Sequence, residues 1–298
     1  MRLFRNDIGQ GFLRRAALTT LAGALLAGCV SSQPRERAII PPQSSKYAAI
    51  VVDSTGRTLY AANASATRYP ASLTKMMTLY LLFEAVDSGR VSKATEIPFS
   101  DNARRQPPSK LGVKRGETID VETAINALTV KSGNDVAVAV AEFLGGSESQ
   151  FAAQMTARAR SLGMTGTVFQ NASGLPDEGQ RTTARDMALL GMALRSRFPH
   201  HFGYFSRQSF VYRGRVVRGH NELIGGVPGV DGIKTGYIRS SGYNIVTSVG
   251  RGGKRLYIVV MGGDSAGARN NHVKELIAKY MSGSSSSGGG ALGAMLWD

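Results

Sequence analysis

The chain has 298 residues, 42% of them hydrophobic and 19% charged, with a formal net charge of +15. That composition excludes a disordered chain, and once the terminal segments are set aside the remaining length of about 240 residues suits one large domain or two lobes. The positive balance favours polyanionic surroundings, but Lys and Arg are scattered with no run of five or more, which disfavours nucleic acid as a partner.

In chain order, Arg14 and Arg15 precede Ala16 to Ala27, an apolar run too short to span a bilayer and suited to the core of an export signal. Residues 1–28 therefore read as a signal peptide. The run ends at Leu26-Ala27-Gly28-Cys29, which resembles the bacterial lipobox, and Cys29 is the only cysteine. The expectation is an exported, periplasmic protein lipidated on Cys29 and tethered to a membrane; ordinary cleavage nearby would leave it soluble. No internal disulfide is possible. Residues 29–45, rich in Pro and Ser, read as a tether.

The folded domain is expected over 46–281. Tyr47–Asp53 and Thr58–Ala61 flank Ser54-Thr55-Gly56 as a hairpin. The apolar run from Pro70 to Val86 predicts a buried helix stopped by Gly89. Val121, Ala124, Ile125 and Leu128 recur at helical spacing behind an Asp120 cap. A further helix starts at Asn134-Asp135 and ends at Gly145-Gly146. Ser147 with Gln150 caps 151–162, and Thr183 with Asp186 caps 187–195. Tyr243–Val249 and Arg255–Met261 form a second hairpin, and His272–Met281 a final helix. Strands at both ends with helices between predict one sheet built from distant segments, backed by helices, with an inserted helical lobe. Residues 282–298 read as a Gly/Ser-rich tail whose apolar tip is too short to cross a membrane.

Three short elements carry the chemistry. Ser72-Leu73-Thr74-Lys75 places a hydroxyl and an amine three residues apart at the start of a helix, on one face. A serine becomes a competent nucleophile when a neighbouring base takes its proton, and lysine can do so only when neutral. Moving its pKa from about 10.4 to near 7 requires burial and a nearby cation, for which Lys234 is available. Taken alone, S-x-x-K is close to chance. Ser132-Gly133-Asn134 lies in a tight turn between apolar helices, whereas its rival Ser100-Asp101-Asn102 stands in a polar loop. Lys234-Thr235-Gly236 falls in a strand over Val230–Tyr237, where alternation sends Lys234 and Gly236 to one face and Thr235 to the other unless the strand twists or lies at an edge.

Together with their flanks (Pro70 to Thr78, Val130 to Ala137, Val230 to Tyr237, Asn171 to Pro176 and Gly242-Tyr243-Asn244), these motifs resemble the serine-type D-alanyl-D-alanine carboxypeptidases, the low-molecular-mass penicillin-binding proteins of peptidase family S11. The resemblance runs from about Tyr47 to Met281. It implies an α+β, β-lactamase/transpeptidase-like fold: an antiparallel five-stranded sheet flanked by helices, plus an inserted all-helical lobe. It implies peptidoglycan stem peptides ending in D-Ala-D-Ala as substrate, and β-lactams as inhibitors that acylate the same serine. Residue by residue, it implies Ser72 as nucleophile, Lys75 as proton acceptor and Ser132 as proton relay steered by Lys234. Asn134 would bind the substrate amide, and Thr235 and Arg269 its terminal carboxylate. The backbone N–H groups of Ser72 and Tyr237, beside Gly236, would form the oxyanion hole. Many relatives carry a hydroxyl residue where this chain has Ile238, and several have a second, β-rich domain and an amphipathic membrane helix in place of the short tail.

Three other readings compete. A D,D-endopeptidase would use the same machinery. A class A β-lactamase also needs a Glu-x-x-Leu-Asn element, and none lies between Ser132 and Lys234. A catalytically dead wall-binding lipoprotein is disfavoured by three intact motifs. No cofactor or metal is expected: His200, His201, His220 and His272 lack ligand-like spacing, and His220-Asn221 reads as a loop hydrogen-bonding pair.

Overall fold

Period-two burial in the first and last strands gives the architecture its plan. In β1 (Ala48–Asp53), Ala48, Ile50 and Val52 join one apolar cluster while Ala49 and Val51 join another. In β9 (Lys254–Gly263), Tyr257, Val259 and Met261 face the first cluster and Leu256, Ile258 and Val260 the second. Both faces of the sheet are therefore covered, and strands read as nearly continuous apolar runs rather than half-polar ones. The structure is a computed structural model that describes residue 42 and residues 44–281. The segments read as signal peptide and tail, Cys29, and nearly all of the segment read as a tether lie outside the described residues.

The remaining elements are β2 (Thr58–Ala62), α1 (Lys75–Asp87), β3 (Glu96–Pro98), α2 (Asp101–Arg105), β4 (Thr118–Asp120), α3 (Val121–Asn126), α4 (Asn134–Gly145), α5 (Glu148–Ser161), α6 (Ala184–Arg197), β5 (Ser209–Tyr212), β6 (Arg215–Arg218), β7 (Val230–Ile238), β8 (Gly242–Arg251) and α7 (Ala266–Met281). The main sheet has the order β2-β1-β9-β8-β7 and every pairing in it is antiparallel. It joins residues 48–62 to residues 230–263, the union of distant segments that the strand pattern predicts. β8 and β9 meet through Gly252-Gly253, both at positive φ, the requirement of a two-residue hairpin turn. On one face α7 buries Val273, Leu276 and Ile277. On the other, α6 lies so close that a Cβ on Gly191 would meet Ile233 at 3.1 Å and Val246 at 3.2 Å.

The caps fall where the sequence puts them. Asp120, Ser147 and Thr183 each accept the backbone N–H three residues on, at the start of α3, α5 and α6. Three readings are corrected. Ser100 is an N-cap as well, accepting from Ala103 N at 3.0 Å, so the rival S-x-N element opens α2 rather than lying in a loop. The final helix begins at Ala266, not His272, because Ser265 Oγ caps it by accepting from Ala268 N at 3.0 Å. Ser72 lies in a 3₁₀ turn, Ala71–Thr74, that precedes the α-helix. The pairs β3–β4 and β5–β6 form two small sheets that the sequence reading does not contain.

Candidate active site

The site gathers where edge strand β7, the start of α1 and the α3–α4 junction meet. Ser72 follows Ala71, a buried non-glycine residue at φ +50, so the turn that carries Ser72 is held in an uncommon backbone conformation. Asn244 of β8 secures that turn from beneath. Its amide donates to Tyr69 O at 3.0 Å and Pro70 O at 3.2 Å, while its oxygen accepts from Gly262 N. From the other side Gly174, at φ +84, lies so close to Ala71 that no side chain fits between them.

Lys75, fully buried, points back at Ser72. Its Nζ lies 3.2 Å from Ser72 Oγ, 2.7 Å from Asn134 Oδ1 and 2.5 Å from Ser173 O. The last two partners are carbonyl oxygens and can only accept. They take two of its N–H bonds, and the third position, which donates to Ser72 Oγ when the amine is charged, is a lone pair able to take the hydroxyl proton once the amine is neutral. Burial, then the charge of Lys234, pushes the Lys75 pKa well below the lysine range, with Asp135 opposing.

Ser132 and Asn134 come from the break between helices. A π-helical turn, Ala127–Lys131, ends at Ser132, which takes the left-handed conformation (φ 62, ψ 38) and so redirects the chain into α4. The buried Ser132 hydroxyl has no hydrogen-bond partner among the described residues. Asn134 accepts from Lys75 and donates to Pro107 O at 2.9 Å, which fixes its amide orientation. Asp135 accepts from Leu111 N and Gly112 N, drawing the 109–112 loop onto α4.

On β7, a Cβ at Gly236 would stand 3.0 Å from Ser72 N, 3.2 Å from Leu73 N and 3.2 Å from Pro70 O. Strand and nucleophile turn are in direct backbone contact. Lys234 is buried, donates to Thr235 O at 2.9 Å, and has its pKa lowered to about 7 by burial and by Arg269. Lys234 and Thr235 both line one cavity of about 180 Å³ beside edge strand β7. Arg269, on α7, donates through Nη1 to Asn244 O and through Nε and Nη2 to Asn270 Oδ1, using three of its five N–H groups. Burial brings its pKa down to about 10. Tyr237 is half exposed and lies against Tyr243, its cross-strand partner, at 4.3 Å between ring centroids.

All three motifs therefore converge on one cleft. Four contributors escape the sequence reading. Arg207, Arg218 and His220 line the cavity beside Lys234 and Thr235, and Ser173 supplies a backbone carbonyl to Lys75. His220 is better described by this cavity than as a partner of Asn221; burial, Lys234 and Lys131 lower its pKa. A carbonyl contact leaves no trace in side-chain identity, although Asn171 to Gly174 forms a tight turn through Asn171 Oδ1 accepting from Gly174 N at 2.7 Å.

A serine hydroxyl 3.2 Å from a buried lysine, gathered with the S-x-N and K-T-G elements, stands here on a β-lactamase/transpeptidase-like fold. The model of the D-alanyl-D-alanine carboxypeptidase family matches residues 35–265. The carboxypeptidase DacA of Escherichia coli is 34% identical over 276 residues, 89% of this chain and 68% of that protein. DacF of Bacillus subtilis is 31% identical over 274 residues, 89% and 70%. Among solved structures, DacD of Francisella tularensis superposes with a TM-score of 0.79 at 28% identity, over 82% of this chain and 72% of that one. Penicillin-binding protein D2 of Listeria monocytogenes, in its ampicillin-bound form, gives 0.72 at 31% identity, over 78% and 96%. The chain belongs to the D-alanyl-D-alanine carboxypeptidase family, peptidase family S11, and is a hydrolase of the serine peptidase class.

Proposed function

We propose that the protein removes the terminal D-alanine from peptidoglycan stem peptides through an ester on Ser72, and that β-lactams acylate the same oxygen. The observation that carries this reading is the position of Lys75, buried with Nζ 3.2 Å from Ser72 Oγ and its pKa lowered by burial and Lys234, so that once neutral it can take the hydroxyl proton. Lys75 takes the Ser72 proton as Oγ attacks the penultimate carbonyl carbon. The oxyanion is stabilised by the backbone N–H groups of Ser72 and Tyr237, a contribution of about 10²–10³ in rate. The unpartnered Ser132 hydroxyl passes a proton to the departing amine, steered by Lys234. The C–N bond breaks, D-alanine leaves, and water hydrolyses the ester to restore Ser72. Asn134 holds the substrate amide, while Thr235, Gly236 and the remaining N–H groups of Arg269 engage the carboxylate end, in a site where Lys234, Arg269 and Lys131 supply the positive field.

The same proposal assigns residues 1–28 to a signal peptide, 29–45 to a tether, 46–281 to the catalytic domain and 282–298 to a tail, with export to the periplasm and a lipid on Cys29. The sole cysteine after Leu26-Ala27-Gly28 supports the anchor. No helix among the described residues is long and apolar enough to cross a membrane. The test is incubation with purified muropeptides. D-alanine released from monomers with cross-linked dimers left intact supports a carboxypeptidase; dimers converted to monomers identify an endopeptidase, and no release of either kind refutes the proposal.

A further inference from the structure

At the far end of α1, about 18 Å along the helix from Lys75 at the helical rise of about 1.5 Å per residue, a second cluster of chemically competent side chains stands apart from the cleft. Asp87 is the last residue of α1. His200 and His201 occupy the turn between α6 and a 3₁₀ turn over Phe202–Ser206. His201 Nε2 lies 2.7 Å from Asp87 Oδ1, and His200 Nε2 lies 3.4 Å from Asp87 Oδ2. One donor atom from each of the three falls within 4.8 Å of the other two. The sequence reading finds no ligand-like spacing among the histidines, because the third member of this group is more than a hundred residues away.

We propose that Asp87, His200 and His201 bind a divalent transition-metal ion of the zinc class. Two imidazoles and a carboxylate are a donor set that Zn²⁺ takes with bonds of about 2.0–2.2 Å, which places neighbouring ligand atoms roughly 3.3–3.6 Å apart in a tetrahedron. The Asp87–His200 separation of 3.4 Å already falls in that range, and the Asp87–His201 separation of 2.7 Å has to open to reach it. His201 is already fixed: it is buried, and its ring stacks on Phe83 at 4.8 Å and 13°. His200 is the adjustable ligand, with 65% of its side chain exposed. Asp87 also borders an open cavity of about 560 Å³, and the exposed His200 leaves its side of the cluster open to solvent.

The surroundings set the class of ion and limit its affinity. Arg90, Arg158 and Arg197 line the same cavity, with Arg158 paired to Glu84 at 2.9 Å. Calcium and magnesium, which need several oxygen donors, find only one carboxylate among the three ligands. His201 Nδ1 is buried without a partner, so no carboxylate orients the ring from behind, and stacking on Phe83 does so instead. The ion would clip the end of α1 to the turn that carries Phe202 and Phe205, which pack against Gly232 of β7. Its role is structural: it ties the nucleophile's helix to the strand of Lys234.

The test is calorimetric titration of the full-length, chelator-treated protein with ZnCl₂, with CoCl₂ spectra and melting curves alongside. The expected result is one Zn²⁺ per chain, visible cobalt bands of a four-coordinate site, and a higher Tm with metal. His200→Ala alters an exposed side chain and leaves the fold intact; with Asp87→Asn it should weaken binding by at least about tenfold and remove the Tm rise. Penicillin labelling should be unchanged in both. The proposal is overturned if both variants bind Zn²⁺ as the wild type does, which would place the ion elsewhere in the chain, or if the wild type takes up none.

Discussion

Gly236→Ala is the sharpest perturbation of the proposed oxyanion hole. The added Cβ would meet three backbone atoms, Ser72 N at 3.0 Å, Leu73 N at 3.2 Å and Pro70 O at 3.2 Å. No flexible side chain is available to yield, so the strand or the nucleophile turn must retreat by a few tenths of an ångström. The turn is already held at both ends by Asn244 and by Gly174. Overpacking of this kind destabilises a protein by about 1–3 kcal/mol, which a domain of this size tolerates. Catalysis suffers more, because a donor displaced from the developing oxyanion forfeits about 10²–10³ in rate. The assay is the second-order rate of acylation by a fluorescent penicillin, read beside the melting temperature. Gly203→Ala serves as control, since nothing lies within 4 Å of its Cβ position. Acylation of Gly236→Ala within about threefold of wild type, with the fold intact, would show that this contact does not set the reaction geometry.

Three further outcomes follow from the electrostatics and the sequence. Lys234→Gln removes the cation that helps depress Lys75, so the Lys75 pKa rises and the ascending limb of the acylation rate against pH moves to higher pH; an unmoved or lowered limb contradicts the coupling. The sign for stability is the same in direction: a lysine whose folded pKa is depressed makes the wild type gain stability as pH rises from Lys75's folded value towards 10.5. That slope should be shallower in Lys75→Met, as urea melts at several pH values would report. Penicillin should be released slowly, because no Glu-x-x-Leu-Asn element lies between Ser132 and Lys234 to position a deacylating water. Rapid steady hydrolysis of penicillin by the purified protein would overturn this.

Much of this molecule is written in local pattern. Caps at Asp120, Ser147 and Thr183 are short-range hydrogen bonds between residues three apart, and such bonds are visible in sequence. The strand positions are visible too, since β-branched runs bounded by glycine have few other uses. The hidden features are long-range. That Ser173 offers a carbonyl to Lys75, that Asn244 holds the carbonyls before Ser72, and that Asp87 meets two histidines all depend on pairings across 98, 174 and 114 positions. The β5–β6 pair escaped because its outward-facing Val211 and Val216 are 68% and 61% exposed, so burial gives its pattern little support.

The central claim is that Ser72, activated by a neutral Lys75, forms the covalent intermediate. Intact-mass spectrometry of the protein before and after penicillin tests it most directly. The account predicts a gain of one penicillin mass per chain, located on the peptide containing Ser72 and absent from Ser72→Ala. An adduct that persists in Ser72→Ala, or a wild type that gains no mass, would contradict it.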